Sequence, residues 1–160
     1  MAFTGVMMAL SLALTWLENL VLVSIPGLPP GVRLGLSNVI TMYCVKYISA
    51  KHAALIGAVK VIFVFATRGF TAGMLSFLGT LCSIVILILF KDLDSVMVLS
   101  ILSSIAHNLG QIIGCMLVLT SWRAVYYLPV LMLSGIAVGA VTGFIMKLVL
   151  GRIHAAREKI

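Results

Sequence analysis

Long apolar runs follow one another almost without a break, and this constrains the fold more than any other feature. Residues 3–24, 52–68, 72–90, 95–120 and 126–150 are each close to continuous hydrophobic sequence. A helix of about 20 such residues crosses a hydrocarbon layer of about 30 Å. Of the 160 residues, 62% are hydrophobic and 9% charged, whereas soluble domains carry about 25% charged residues. Too few polar side chains are present to cover a soluble globule of this size, so the surface must face lipid. Ten-residue alternating segments, the pattern of a membrane barrel, are absent. The expected fold is an all-α integral membrane protein, a single transmembrane domain over residues 1–160.

Six crossings are expected: roughly 3–24, a short one at 35–49, 52–68, 72–90, 95–120 and 126–150. A Pro/Gly loop, "SIPGLPPGVR", joins the first two, and the tail "GRIHAAREKI" is polar. The first twenty residues lack a basic start and run directly into more apolar sequence, so a cleaved signal peptide is not expected. With the N-terminus inside, Lys46, Lys51, Lys91, Lys147, Arg152, Arg157 and Lys159 fall on the inner side. Arg33, Arg68 and Arg123 fall outside, and seven against three follows the positive-inside rule. Both termini are then cytoplasmic. The net charge of +7 is explained by this orientation, and nucleic acid is not an expected partner.

That orientation gives "SIAHNLGQIIG" (104–114) a geometric meaning. The fifth crossing starts inside near residue 95, which puts His107 roughly 18 Å and Gln111 roughly 24 Å above its inner end. Glu18 and Asn19 lie late in the first crossing, which also runs outward. Asn38 opens the second, Arg68 ends the third, and Tyr126 and Tyr127 begin the sixth beside Arg123. Polar groups from five crossings thus share one outer layer. On the fifth, Ser100, Ser103 or Ser104, His107, Gln111 and Gly114 recur at i, i+3/i+4 and make one stripe. Polar side chains in a membrane normally face the bundle interior or a wet cavity, and an ionisable one marks a functional candidate.

For His107 alone, binding of neighbouring helices to one another is an equal alternative. The three outer arginines also suit snorkelling anchors, and the two tyrosines suit an aromatic belt. A common depth favours a cavity over separate helix contacts. The candidate binding set is Glu18, Asn19, Arg33, Asn38, Lys60, Arg68, His107, Asn108, Gln111 and Tyr126. Lys60 lies near the midplane, placed for an ion pair with Glu18 or for the pocket floor. Three arginines against one glutamate favour an anionic, amphipathic small molecule, because arginine forks match phosphate and carboxylate.

Small-residue ladders occur at Gly5, Ala9 and Ala13, at Gly110 and Gly114, and at Gly135, Gly139 and Gly143. Such faces let helices approach closely, within the chain or against a partner. Cys44, Cys82 and Cys115 have no ligand spacing and read as small buried hydrophobes. There is no GxxxxGK[ST] loop for ATP hydrolysis. The carboxylates are Glu18, Asp92, Asp94 and Glu158, and the one aspartate pair, "KDLDS", lies on the inner side. No catalytic residue, metal or cofactor is expected.

"IPGLPPGVRLGLSNVITMY", "AHNLGQ" and "YYLPVLMLSGIAVGAVTG" resemble the Gx transporter family, often labelled heptaprenyl diphosphate synthase component I. The similarity covers nearly the whole chain. The family is related to the substrate-binding S-components of energy-coupling factor importers. The resemblance implies a six-helix bundle in a bacterial plasma membrane that captures a vitamin-like molecule from outside. It implies assembly with a transmembrane coupling subunit and two cytoplasmic ATPases, and no ATPase in the chain itself. An AxxxA motif on the first helix meets the coupling subunit in such proteins, and Ala9 and Ala13 match it. The "IPGLPPG" loop is placed to gate the pocket. The alternatives are a membrane accessory component of polyprenyl diphosphate synthesis and a structural membrane scaffold.

Overall fold

A computed structural model describes residues 2–23, 35–119 and 122–157, all of it helical apart from short turns. The order is α1 (Ala2–Val23), α2 (Leu36–Tyr47), α3 (Ala50–Leu89), α4 (Val96–Leu119), a 3₁₀ turn (Trp122–Tyr127) and α5 (Leu128–Arg157). The loop expected to gate the pocket lies outside the described residues.

α3 covers 40 residues but is two helices that meet at a kink. Gly69 has φ 81° and ψ −179°, and there the chain reverses. A Cβ built on Gly57 would lie 2.9 Å from the Thr80 side chain and 3.0 Å from that of Ile84. In a straight helix, Gly57 and Thr80 would stand about 34 Å apart. The two limbs, 50–68 and 70–89, therefore lie antiparallel, and each is about 30 Å long. They correspond to the expected third and fourth crossings. Ser49 caps the first limb by accepting a hydrogen bond from the Lys51 amide at 3.3 Å.

α1, α3, α4 and the segment Val125–Arg152 are long and apolar enough to cross a membrane. α2 is not. Its 12 residues span about 18 Å, which falls short of the hydrocarbon thickness. The expected second crossing is thus a short helix, which leads the chain from Glu18 of α1 back to the turn before α4, where Lys46 donates to the Leu93 carbonyl. The last helix begins later than expected, after the 3₁₀ turn, and continues through the polar tail to Arg157.

The outer surface is apolar: Ile62, Phe70, Leu89, Leu117 and Leu133 are all exposed. Such a surface is stable only against lipid. Two of the three glycine ladders are used inside the chain. A Cβ at Gly139 would lie 2.6 Å from the Ile101 Cα, and Gly135 and Gly143 meet Ile105 and Met97 in the same way. α5 therefore lies tightly along α4. Gly110 and Gly114 bring α4 equally close to Leu78 and Leu75 of α3. The ladder on α1 is different. Nothing lies within 4 Å of a Cβ at Gly5, and Ala9 and Ala13 are exposed.

Toward one end, Ile40, Met42, Cys44, Val45, Ala53, Ile56, Leu87, Val96, Leu99 and Met146 form an apolar core. Cys44 is fully buried there, as a small hydrophobe. The hydrophilic side chains collect nearer the other end.

Candidate functional site

Ser11, Thr15 and Glu18 recur at i, i+4 and i+7 on α1, and all three are buried. Thr15 donates its hydroxyl to the Ser11 carbonyl at 2.8 Å. Glu18 reaches across to α2, where its Oε1 accepts the Ser37 amide at 3.1 Å. Gly35, at the N-cap of α2, is left-handed and offers no capping side chain. Glu18 supplies the cap from another helix, and its charge suits the positive end of the α2 dipole.

Beside it, Lys60 of α3 donates to Asn38 Oδ1 at 2.9 Å. Lys60 is 3% exposed and Glu18 is equally buried. Both are ionisable side chains held away from the surface of the bundle. Arg68 lies nearer the end of the bundle, exposed, and donates to Asn19 Oδ1 at 3.0 Å.

The α4 stripe is inside, as its spacing predicts: Ser100, Ser103, Ser104, His107 and Gln111 are all buried. Gln111 Nε2 lies 3.3 Å from His107 Nε2, one turn away. Asn108, on the adjoining face, donates to the Leu131 carbonyl at 2.6 Å and to Ser134 Oγ at 3.4 Å, which ties α4 to α5. Lower down, Ser83 pairs with Ser103 and Ser100 with Thr142, each at 2.7 Å. These hydroxyl pairs bind helices together.

Neighbouring helices meet at or beside these groups. Glu18 meets Ser37, and Asn38 beside it meets Lys60. One turn away, Gly57 faces Thr80 of the returning limb, and the neighbouring Gly79 abuts His107 and Gln111 of α4. The structure thus brings Glu18 to Ser37, Asn38 to Lys60, Gln111 to His107 and Asn19 to Arg68, while Asn108 turns to α5. Tyr126 stands apart from them. It is 84% exposed, on the 3₁₀ turn, where it suits an aromatic belt. Arg33 and the side chain of Arg123 lie outside the described residues.

Ser37, Ser76 and Thr80 are also buried, and the candidate set omitted them. A signal was present: Ser76, Thr80 and Ser83 recur at i, i+4 and i+7, as on α4. A cavity of about 230 Å³ between α1, α2 and α5 is separate from the layer and wholly apolar, walled by residues such as Leu10, Val39, Tyr43 and Met146.

An all-helical, lipid-facing bundle with a buried hydrophilic layer defines a multi-pass membrane protein. The family model described as heptaprenyl diphosphate synthase component I matches residues 7–149, and the chain belongs to that family. No curated protein and no solved structure gives a significant match.

Proposed function

We propose that this chain is the substrate-capture component of an energy-coupling factor type importer, set in a bacterial plasma membrane with both termini cytoplasmic. The two limbs of α3 count as separate crossings, and the short α2 completes the six-helix arrangement. The captured molecule is small and amphipathic, with an anionic group that meets the outer arginines Arg33, Arg68 and Arg123.

One observation supports this reading: hydrophilic side chains on α1, α2, both limbs of α3 and α4 are buried in an otherwise apolar bundle, Glu18 and Lys60 among them. Ionisable side chains inside a membrane bundle are costly and mark functional candidates. The exposed Gly5–Ala9–Ala13 stripe supports docking to a coupling subunit, since the other two ladders are consumed within the chain. Two cytoplasmic ATPases would then supply the energy that this chain has no motif to harvest.

The second reading, a membrane accessory component of polyprenyl diphosphate synthesis, is favoured by the description of the family. Affinity purification of the tagged chain from its own membranes separates the two. A transmembrane coupling subunit with ATPases is the expected companion. A soluble prenyl synthase in their place would overturn the importer reading in favour of the second.

A further inference from the structure

We propose that a second cavity, between the end of α2 and the two ends of α3, holds the phosphate headgroup of an anionic phospholipid. This goes beyond the capture reading and concerns a different part of the bundle. The cavity has a volume of about 410 Å³, within the roughly 300–1,000 Å³ of small-molecule sites. Lys46, Ser49, Lys91 and Asp92 supply its polar wall, and Val45 and Ile88 stand among the apolar residues opposite.

Three helix ends fix its depth. α2 stops at Tyr47, the first limb of α3 starts at Ala50 and the second stops at Leu89. Each limb is about as long as the hydrocarbon layer is thick, so its ends lie at the layer's edge. The rim of the cavity agrees. Tyr47, Ile48, Ile88, Leu89 and Phe90 are exposed and apolar or aromatic, as at a lipid boundary. Lys51, Asp92 and Asp94, close by in the chain, are exposed and charged. A polar hollow that runs on into a lipid-facing surface suits a molecule with a polar head and hydrocarbon chains.

Charge selects the head. Lys46 and Lys91 bring two positive charges to the wall and Asp92 one negative, so one positive charge is in excess. Lys46 gives one N–H to the Leu93 carbonyl and keeps its others. Among the described residues, no ion pair engages Lys91 or Asp92. Ser49 accepts the Lys51 amide and keeps its own hydrogen to donate. The Ala50 amide, first in its helix, has no partner within that helix and lies at its positive end. A singly charged phosphodiester meets these donors, and hydroxyls on the same head can donate to Asp92. Phosphatidylglycerol has both features. A choline headgroup brings no net charge to answer the excess, and free phosphate brings no chains to cover the apolar rim.

The test uses the full chain in an uncharged detergent. Thermal unfolding is followed as phosphatidylglycerol, phosphatidylcholine or inorganic phosphate is added. Phosphatidylglycerol should raise the unfolding temperature at concentrations where the other two do not. K91Q should bind it about fivefold more weakly and D92N about fivefold more tightly, the effect of one charge beside a membrane surface. K147Q removes the same charge from an exposed position on α5 outside the cavity, and should bind like the wild type. Lys91, Asp92 and Lys147 are exposed, so all three variants should unfold at the wild-type temperature without lipid. Lys46 is left unchanged because it also holds Leu93. Equal losses in K91Q and K147Q would assign binding to the overall positive charge and overturn the proposal. So would undiminished binding by K91Q, a wild type that does not distinguish the two lipids, or an equal response to inorganic phosphate. Neither the captured molecule nor the coupling subunit takes part, so failure here and failure of the capture reading are separate results.

Discussion

The carboxylate of Glu18 on α1 closes the first turn of α2 by accepting the Ser37 amide at 3.1 Å. α2 is short and its N-cap is a glycine, so this contact fixes where the helix starts. Replacing Glu18 with alanine should cost about 1 kcal/mol for the lost cap. The site is buried, so the Ser37 amide would be left without a partner and the loss should lie at the upper end of the range for a cap. Glu18→Gln keeps an oxygen at the same place and should fall between wild type and alanine. Thermal unfolding in detergent measures all three. Equal stability of wild type and Glu18→Ala would remove the cap from the account.

Gly69 reverses α3 with φ 81° and ψ −179°, a region essentially confined to glycine. Nothing lies within 4 Å of a Cβ placed there, so steric crowding plays no part. Gly69→Ala should therefore destabilise through the backbone alone, by roughly 1–3 kcal/mol. Gly5→Ala, equally uncrowded but within α1, is the control and should be neutral or slightly stabilising. Comparison of the two unfolding temperatures isolates the turn.

The α4 stripe separates into two roles that stability measurements can tell apart. Asn108 gives its amide to the Leu131 carbonyl at 2.6 Å and so holds α5. Asn108→Leu should cost about 1–2 kcal/mol, the range for a hydrogen bond between membrane helices. Gln111→Leu removes a side chain with one unsatisfied polar atom and should cost less, while it weakens retention of small molecules by the purified protein. A Gln111→Leu protein as unstable as Asn108→Leu would make both residues helix contacts.

The burial of the α4 stripe was legible in the sequence, because helical spacing alone fixes which residues share a face. His107 and Gln111, one turn apart, lie inside with the serines below them. Thr80 and Ser37 escaped notice because serine and threonine in apolar helices usually satisfy themselves against the backbone. The bonds between Lys60 and Asn38, and between Arg68 and Asn19, join distant positions and depend on how the helices pack. No local pattern specifies that. Tyr126 was misleading because it starts the sixth apolar run, and only the 3₁₀ turn reveals that it points outward. The glycine and alanine ladders share one spacing, so only packing separates those used inside the chain from the one left on its surface.

That separation yields the last prediction. A Cβ at Gly139 would stand 2.6 Å from the Ile101 Cα, against backbone that cannot turn aside. Gly139→Leu must push α5 off α4 and should destabilise by at least the roughly 1–3 kcal/mol of an overpacked core. Ala9 and Ala13 are exposed, and leucine at both positions meets only lipid in the isolated chain. The double variant should unfold at the wild-type temperature and retain small molecules normally, yet lose the coupling subunit on affinity purification, because bulk at such a face blocks close helix approach. Full retention of that partner would place the docking surface elsewhere, while loss of folding would show that α1 packs within the chain through the face it leaves open here.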